Sequence, residues 1–198
     1  HIYTEWGWRN FQAWIHDGFD NFLFTPNGKT ERLLTRIAIE TLFHPFQPFI
    51  MGQMYFPPKM AIKMGIPLVF YGENPAEYGN PVKTNQSAQK DWDYFSSGDA
   101  AETYLAGVSI AELKDSFGLS AADLSPYLPP NPDHLDASNV EVHYLGYYLR
   151  WHPQSAYYYA VENGSFQPAP ERTPGTYSKY SSIDDRIDDF HYYTTYIK

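Results

Sequence analysis

The sequence contains no cysteine, and its 14 Lys and Arg are outnumbered by 23 Asp and Glu. A chain without cysteine forms no disulfide, no thiolate zinc site and no thiol nucleophile, and such usage fits a reducing cytoplasm. The formal net charge of −9 argues against a nucleic-acid partner, whose phosphates require clustered Lys and Arg. No apolar run approaches the ~20 residues of a membrane-spanning helix, and no secretory signal is visible. We therefore expect a cytoplasmic globular protein with no membrane span.

Several chemical signatures are missing as well. The seven histidines include no H-x-x-x-H pair, so no metal site is predicted. The chain has neither the G-x-S-x-G motif of a serine hydrolase nor a G-x-x-x-x-G-K-[ST] phosphate loop. Aromatic residues are plentiful instead, with 18 Tyr, 13 Phe and 5 Trp. Most of them should fill the core, but tyrosine also suits a pocket for a sugar or a base.

The first 79 residues follow the alternation of an α/β protein. Periodicity predicts helices over 4–20, 29–43 and around Pro57-Pro58, and short buried strands over 21–26 and 67–72. Because helices between parallel strands form right-handed crossovers, we predict an α/β fold, a Rossmann-like parallel sheet with flanking helices. Two strands are too few for such a sheet, so we expect further sequence upstream of His1.

The rest of the chain is predicted to be more helical. After a polar loop come short helices at 99–106, 109–117 and 120–127, a third strand at 140–151, a helix at 153–164 and a terminal helix capped by Ser181 or Ser182. The chain accordingly divides into a partial α/β core (1–79), a helical insertion (80–138) and a C-terminal part (139–198). The last of these is expected to complete the core and the substrate pocket.

Polar residues crowd behind the strand predicted over 67–72. Gly72 is followed by Glu73, Asn74 and Glu77 in "GENPAEYG". In open parallel sheets, ligands bind in the crevice beyond the carboxyl ends of the strands. A carboxylate there can hold Mg²⁺ beside nucleotide phosphates or steer an amine nucleophile. We predict Glu73, Asn74 and Glu77 as catalytic and Gly72 as cofactor-binding; a merely solvated loop is the alternative.

Two further segments are candidates for ligand contacts. Asn27 and Lys29 flank the start of a predicted helix, where backbone amides attract anions and the Lys29 ammonium adds charge, although a simple turn explains the segment as well. The loop "GTYSKYSS" carries more side-chain donors than a connector needs. We predict that its Tyr177, Lys179 and Tyr180 bind a sugar or a nucleotide, the alternative again being a solvated loop.

Three segments together resemble one family. They are "FTPNGKTERLLTRIAIETLFHPFQPFIMGQ", "GIPLVFYGENPAEYG" and "YLGYYLRWHPQSAYYYAVENGSFQPAPERTPGTYSKYSSIDDRIDDFHYYTTYIK". They are similar to the N-acetyl sugar amidotransferases of bacterial surface-polysaccharide and flagellin-sugar biosynthesis, and the likeness spans essentially the whole chain. The resemblance implies an ATP-pyrophosphatase-like fold of the adenine-nucleotide-hydrolase type, with a five-stranded parallel sheet.

The resemblance also implies a reaction and its partners. Family members are thought to activate the acetamido oxygen of a nucleotide-linked N-acetyl sugar with ATP and Mg²⁺. Ammonia from a glutaminase subunit then displaces AMP and leaves an acetamidino group. Gly72, Glu73, Asn74 and Glu77 would lie in the active cleft. The family's pyrophosphate-binding S-G-G-K-D-S loop is expected upstream of His1, so we expect that the chain alone does not turn over.

Two other functions remain open from the sequence. One is a nucleotide- or sugar-binding module without catalysis. The other is a related ATP-dependent enzyme that transfers sulfur or an amide nitrogen to tRNA, which the acidic net charge disfavours.

Overall fold

A computed structural model of the chain describes residues 3–73, 87–90 and 103–196. The chain divides into two compact units, which we call the central unit (Pro26–Arg150) and the terminal unit (His1–Thr25 with Trp151–Lys198). The structure is mixed α/β, with many helices and a small parallel sheet. Within the described ranges, none of the helices combines the length and the apolar character that crossing a membrane requires.

The secondary-structure elements follow in chain order. They are α1 (Glu5–His16), α2 (Gly28–Leu42), α3 (Gln47–Met64), β1 (Leu68–Tyr71), β2 (Tyr104–Leu105), β3 (Val108–Ser109), α4 (Ile110–Asp115), α5 (Ala121–Leu124), α6 (Pro132–Ser138), β4 (Glu141–Tyr144), α7 (Pro153–Asn163) and α8 (Asp188–Tyr196). Short 3₁₀ turns follow α5 at Ser125–Tyr127 and β4 at Leu145–Tyr147. The helices predicted over 4–20, 29–43, 109–117 and 153–164 are confirmed, with shifted ends.

The sheet of the central unit is built on one parallel pair. Strand β1 runs beside β4 in a register that joins Leu68 to Glu141 and Tyr71 to Tyr144. Residues 87–90 lie along the other edge of β4, where the Lys90 amide donates to the Val142 carbonyl at 2.7 Å. The predicted strands at 67–72 and 140–151 are thus confirmed in kind, although β4 is shorter than predicted.

Among the described residues, one face of this pair packs against an apolar cluster, and the other face is largely exposed. Val69 and Tyr71 lie against the cluster of Ala61, Leu135, Val140 and Val142. Leu68 and Phe70, on the opposite face, remain 43% and 47% exposed. The prediction that β1 is buried on both faces is therefore wrong for the described part of the chain. Side chains alternate along a strand, so an apolar run is buried on both sides only where both sides are covered.

A hairpin stands where the sequence predicted a helix at 99–106. Strands β2 and β3 pair antiparallel, and the two residues between them, Ala106 and Gly107, have φ angles of 57° and 80°. Two successive left-handed residues match the two-residue turn that suits the twist of paired strands. Gln47 accepts the Ala106 amide at 2.7 Å, and Thr41 donates to the Ala106 carbonyl at 2.6 Å. These contacts from α2 and α3 favour the hairpin over a helix at 104–106.

The main core of the central unit lies around this hairpin. It contains the buried side chains of Leu34, Ile37, Ala38, Leu105, Ala106, Val108, Ile110, Leu113, Leu124 and Tyr127. Helix α2 supplies its share through the spacing at positions 34, 37 and 38, which puts one stripe of the helix against its neighbours. The amphipathic pattern of 29–43 therefore predicted the burial of this helix correctly.

The terminal unit joins the first helix of the chain to its last third. Thr4 caps α1 by accepting the Gly7 amide at 2.9 Å. The Thr4 amide donates to the Asp184 carbonyl at 3.1 Å, and the backbone of Tyr3 bridges to that of Asp185. Because the backbones of Tyr3 and Thr4 bond to residues 184 and 185, this stretch is not helical. Helix α8 begins only at Asp188, and the predicted start at Ser181 or Ser182 is wrong.

The segment over 21–26 is not a strand. Phe22, Leu23 and Phe24 have no regular structure and are 58%, 52% and 46% exposed. An apolar run becomes a strand only where a neighbour accepts and donates its backbone hydrogen bonds. The described strands pair with one another and not with this segment, which is the physical reason for the wrong prediction.

Candidate functional site

The first candidate region lies at the carboxyl end of β1. The strand ends at Tyr71, and both Gly72 and Glu73 behind it are exposed. No described atom lies within 4 Å of the place where a Cβ on Gly72 would stand, so the backbone borders open space. Asn74 and Glu77 lie outside the described residues. The Glu73 carboxylate is thus presented to solvent at the sheet edge where the sequence predicted a site.

Contacts with buried polar groups fix Tyr71, the last residue of β1. The Tyr71 hydroxyl donates to the Met54 carbonyl of α3, and burial raises the pKa of Tyr71. Lys90 is 5% exposed, and its Nζ lies 5.0 Å from the centroid of the Tyr71 ring. Burial lowers the pKa of Lys90 to about 8. The Tyr71 ring and the Lys90 ammonium attract each other. This contact helps to fix Tyr71, the residue directly before Gly72 and Glu73.

The start of α2 uses the predicted cofactor-binding residues differently. The Asn27 side chain caps the helix by accepting the Lys29 amide at 3.0 Å, and the Lys29 side chain is exposed. In the same first turn, the Thr30 hydroxyl donates to Asp123 at 3.3 Å. A carboxylate beside the positive end of the helix competes with any phosphate there. The fit to ATP at this place is therefore poor, and phosphate binding by Asn27 and Lys29 stays a prediction.

The terminal unit contains a hollow of about 960 Å³. Its walls are formed by the loop before α8 and by the first turns of that helix. The lining residues are Pro174, Gly175, Thr176, Tyr177, Ser178, Tyr180, Ser181, Asp189, Phe190, Tyr192 and Tyr193. Aromatic rings thus share the wall with hydroxyl groups and one carboxylate. This mixture suits a ligand with flat apolar faces and several hydroxyls, such as a sugar or a nucleoside.

Hydrogen bonds and stacking fix the loop side of the hollow. The Tyr180 ring stacks on Tyr157 of α7, with centroids 4.3 Å apart, and its hydroxyl donates to Gln154 at 3.1 Å. The hydroxyls of Ser178 and Ser181 lie 2.6 Å apart. Tyr180 is therefore a fixed wall residue, and the paired serine hydroxyls are positioned at the same surface.

The helix side depends on a close backbone approach. Gly175 has a φ angle of 91°, and a Cβ there would come within 3.0 Å of the Tyr192 Cβ. Tyr192 is held in turn by a 2.9 Å hydrogen bond between its hydroxyl and that of Ser182. A residue larger than glycine at 175 would push the loop away from α8.

The other two predicted substrate-binding residues stand in contrasting positions. Tyr177 lines the hollow and is 98% exposed, so its ring is available to a ligand. Lys179 is exposed and does not belong to the lining residues; its carbonyl accepts the Ala169 amide at 2.8 Å. The structure thus brings Tyr177 and Tyr180 to one hollow and leaves Lys179 outside its wall.

Three aspartates, Asp184, Asp185 and Asp188, lie just before or at the start of α8, the helix that lines the hollow. Burial raises the pKa of Asp188 to about 7, and the neighbouring charges of Asp184 and Asp185 add to this effect. A carboxyl group with such a pKa is partly protonated at neutral pH. Across the described part of the chain, no group of three or more His, Asp or Glu is placed to hold a metal ion.

Sequence reasoning missed the wall that α8 provides. Phe190, Tyr192 and Tyr193 line the hollow, but their segment was interpreted only as a terminal helix. Aromatic residues at 190 and 193 are three apart, and that spacing places them on one face of a helix. This face could have been predicted, but the loop that packs against it could not.

We compared the chain with known proteins. No model of a protein family matches the sequence, and no curated protein matches it either.

Proposed function

We propose that this chain is part of an ATP-dependent amidotransferase that converts the acetamido group of a nucleotide-linked N-acetyl sugar into an acetamidino group. The observation that carries the proposal is the hollow lined by aromatic rings and hydroxyls, because it lies in the longest segment that resembles the N-acetyl sugar amidotransferases. The sugar nucleotide would serve lipopolysaccharide or flagellin glycan biosynthesis, as the family resemblance implies.

The chemistry requires activation because an amide oxygen is a poor leaving group. ATP with Mg²⁺ would supply the adenylyl group that turns this oxygen into part of a leaving group. Ammonia then forms the new C–N bond, and AMP departs with the electron pair of the broken C–O bond. A glutaminase subunit is the proposed source of ammonia, since free ammonia is mostly protonated near neutral pH and then is no nucleophile.

The described residues can take defined parts in this scheme. The exposed Glu73 carboxylate at the end of β1 has the oxygen ligands that Mg²⁺ prefers. Tyr177 offers an exposed ring for a base or a sugar face, and the Ser178 and Ser181 hydroxyls can exchange hydrogen bonds with sugar hydroxyls. We further propose that β1 and β4 are two strands of a Rossmann-like parallel sheet of the adenine-nucleotide-hydrolase type.

The binding step can be tested on the 198-residue chain. Titration calorimetry with a UDP-linked N-acetylhexosamine should show binding, and Tyr177→Ala should weaken it about tenfold, since stacking of a base on an aromatic ring is worth ~1–3 kcal/mol. Tyr159→Ala is the matched control, because Tyr159 is 70% exposed in the same unit but does not line the hollow. Equal affinities of wild type and Tyr177→Ala would exclude Tyr177 from the site.

Turnover needs a polypeptide that also carries the expected phosphate-binding loop. With ATP, ammonium and the sugar nucleotide, mass spectrometry should detect an acetamidino product about one mass unit lighter than the substrate, together with pyrophosphate. Glu73→Gln should lower the rate without changing the affinity for the sugar. Binding without product in this preparation would favour a sugar-nucleotide-binding module.

A further inference from the structure

Three polar side chains form a hydrogen-bonded line on the exposed face of the β1–β4 pair. Glu141 Oε2 lies 2.9 Å from His143 Nε2, and His143 Nδ1 lies 2.6 Å from the Tyr148 hydroxyl. All three belong to the central unit. None of them lines the hollow of the terminal unit.

The fold explains how the three meet. Glu141 and His143 are two residues apart on β4, so both side chains leave the same face of the sheet. They stand opposite Leu68 and Phe70 of β1, which occupy the exposed face. The 3₁₀ turn that follows β4 returns the chain, so that Tyr148 reaches His143.

The direction of the hydrogen bonds follows from the donors available. An ionised carboxylate only accepts, so the Glu141 contact requires the proton on His143 Nε2. His143 Nδ1 is then the acceptor, and Tyr148 must donate to it. A hydroxyl bonded to an imidazole, with a carboxylate behind the imidazole, is the arrangement that activates hydroxyl nucleophiles and general bases.

The imidazole in the middle of the line is the least exposed of the three side chains. The His143 side chain is 14% exposed and that of Glu141 59%. Tyr148 is 54% exposed, so a reactant can reach its hydroxyl. The ring of Phe70 packs edge-on against Tyr148 with centroids 5.7 Å apart, which supports the tyrosine in this orientation.

We propose that Glu141, His143 and Tyr148 form a proton relay in which Tyr148 is the general base for an ammonia or amine nucleophile. As the ammonia nitrogen bonds to the imidate carbon and AMP leaves with the C–O electron pair, one N–H proton passes to the Tyr148 oxygen. The hydroxyl proton of Tyr148 passes to His143 Nδ1, and Glu141 stabilises the resulting imidazolium. Tyr148 is the catalytic residue here, His143 and Glu141 act through it, and this step rests on the proposed function.

The relay itself is tested without turnover, by labelling the 198-residue chain with an aryl sulfonyl fluoride. The phenolic oxygen bonds to sulfur, fluoride leaves, and the proton goes to His143. We expect Tyr148 to react at least about tenfold faster than Tyr177, a modest part of what a positioned base contributes. Tyr177 is an internal control because it is 98% exposed, and peptide mapping measures both rates.

The variants separate the relay from mere exposure. His143→Gln should reduce the Tyr148 rate to that of Tyr177, and Glu141→Gln should give an intermediate rate, while Tyr177 stays unchanged in both. Circular dichroism checks that the variants remain folded. If Tyr148 reacts no faster than Tyr177, or at the same rate in His143→Gln, the relay is disproved, whether or not the chain binds a sugar nucleotide.

The assigned step is tested in the turnover assay. Where wild type forms the acetamidino product, Tyr148→Phe should lower the rate about 100-fold with unchanged sugar affinity. An undiminished rate would remove the relay from amide transfer even if Tyr148 labels quickly. Failure of wild type to form product would instead refute the proposed function and the assigned step together, and leave the labelling result to decide on the relay.

Discussion

The central unit and the terminal unit are stabilised by different kinds of contact. In the central unit, Leu34, Leu105, Leu113 and Leu124 are at most 1% exposed and pack in one cluster. Among the described residues of the terminal unit, the buried ones are Gly7, Ile183, Asp185 and Thr194. The first set stabilises the fold by removing aliphatic area from water. The second consists mainly of small and polar residues, which contribute through close backbone approach and hydrogen bonds.

Hydrogen bonds between distant parts of the chain are correspondingly prominent in the terminal unit. Asn10 exchanges two of them with the backbone of Gln167, at 3.0 and 2.8 Å. Arg186 donates to the Tyr3 carbonyl at 3.2 Å. Such bonds are directional and each contributes only ~1 kcal/mol net. We infer that the central unit loses most stability when a buried side chain is shortened and leaves a cavity. The terminal unit should lose most stability when a larger side chain is placed where two backbones lie close together.

The largest expected effect is that of a cavity in the central unit. Leu34→Ala removes a fully buried side chain of α2 and should lower the free energy of unfolding by about 2–5 kcal/mol. Urea unfolding followed by far-UV circular dichroism measures it. Leu149→Ala is the control, because Leu149 is 61% exposed in the same unit and should change stability by less than about 0.5 kcal/mol. Similar losses in both variants would contradict the assigned core.

Steric intrusion should damage the terminal unit nearly as much. A Cβ on Gly7 would lie 2.4 Å from the Asp184 carbonyl oxygen, and the backbone there cannot rotate away as a side chain can. Gly7→Ala should therefore cost about 1–3 kcal/mol by overpacking. Tryptophan fluorescence is a suitable measurement, because four of the five tryptophans belong to this unit: Trp6, Trp8, Trp14 and Trp151.

Two further glycines sharpen this test. Gly107→Ala in the central unit combines a left-handed φ of 80° with a Cβ that would lie 2.5 Å from the Thr41 hydroxyl. Gly18→Ala is the control in the terminal unit, since no described atom lies within 4 Å and only the left-handed conformation is penalised, by ~1–2 kcal/mol. If Gly7→Ala is as mild as an ordinary helix substitution, the close packing of α1 on residue 184 is wrong.

Two titratable groups should give opposite pH dependences of stability. Asp188 has a folded pKa of about 7 against an ordinary 3.8, so the folded state binds the extra proton between these values. Its contribution to stability is therefore present at low pH and is lost as pH rises from about 4 to 7. Lys90 has a folded pKa of about 8 against 10.5. Here the unfolded state binds more protons, and stability rises with pH between these values.

Matched variants isolate the two contributions. The difference in unfolding free energy between wild type and Asp188→Asn should change across pH 4–7, and that between wild type and Lys90→Met across pH 8–10.5. Tryptophan fluorescence follows mainly the terminal unit, which holds four of the five tryptophans, and circular dichroism follows both units. A difference that stays constant over its range would show that the group titrates alike in the folded and unfolded states.

The candidate site could be predicted in part. Gly72 and Glu73 stand at the end of a strand because a continuous apolar run ends at a glycine, and both features are local. Tyr177 and Tyr180 were predicted from the composition of their loop. His143 was assigned no role, since its relation to Tyr148 depends on how the turn after β4 folds back. The Rossmann-like sheet and the amide-transfer reaction stay predictions.

The sequence alone determined those elements that depend only on residues close to one another along the chain. The apolar stripe of α2, the threonine cap of α1 and the strand ending at Tyr71 each depend on residues a few positions apart. Tertiary structure decided the hairpin at 104–109, the late start of α8 and the irregular path of 21–26. The hairpin and the start of α8 depend on hydrogen bonds from distant segments, and no local pattern encodes which segment arrives.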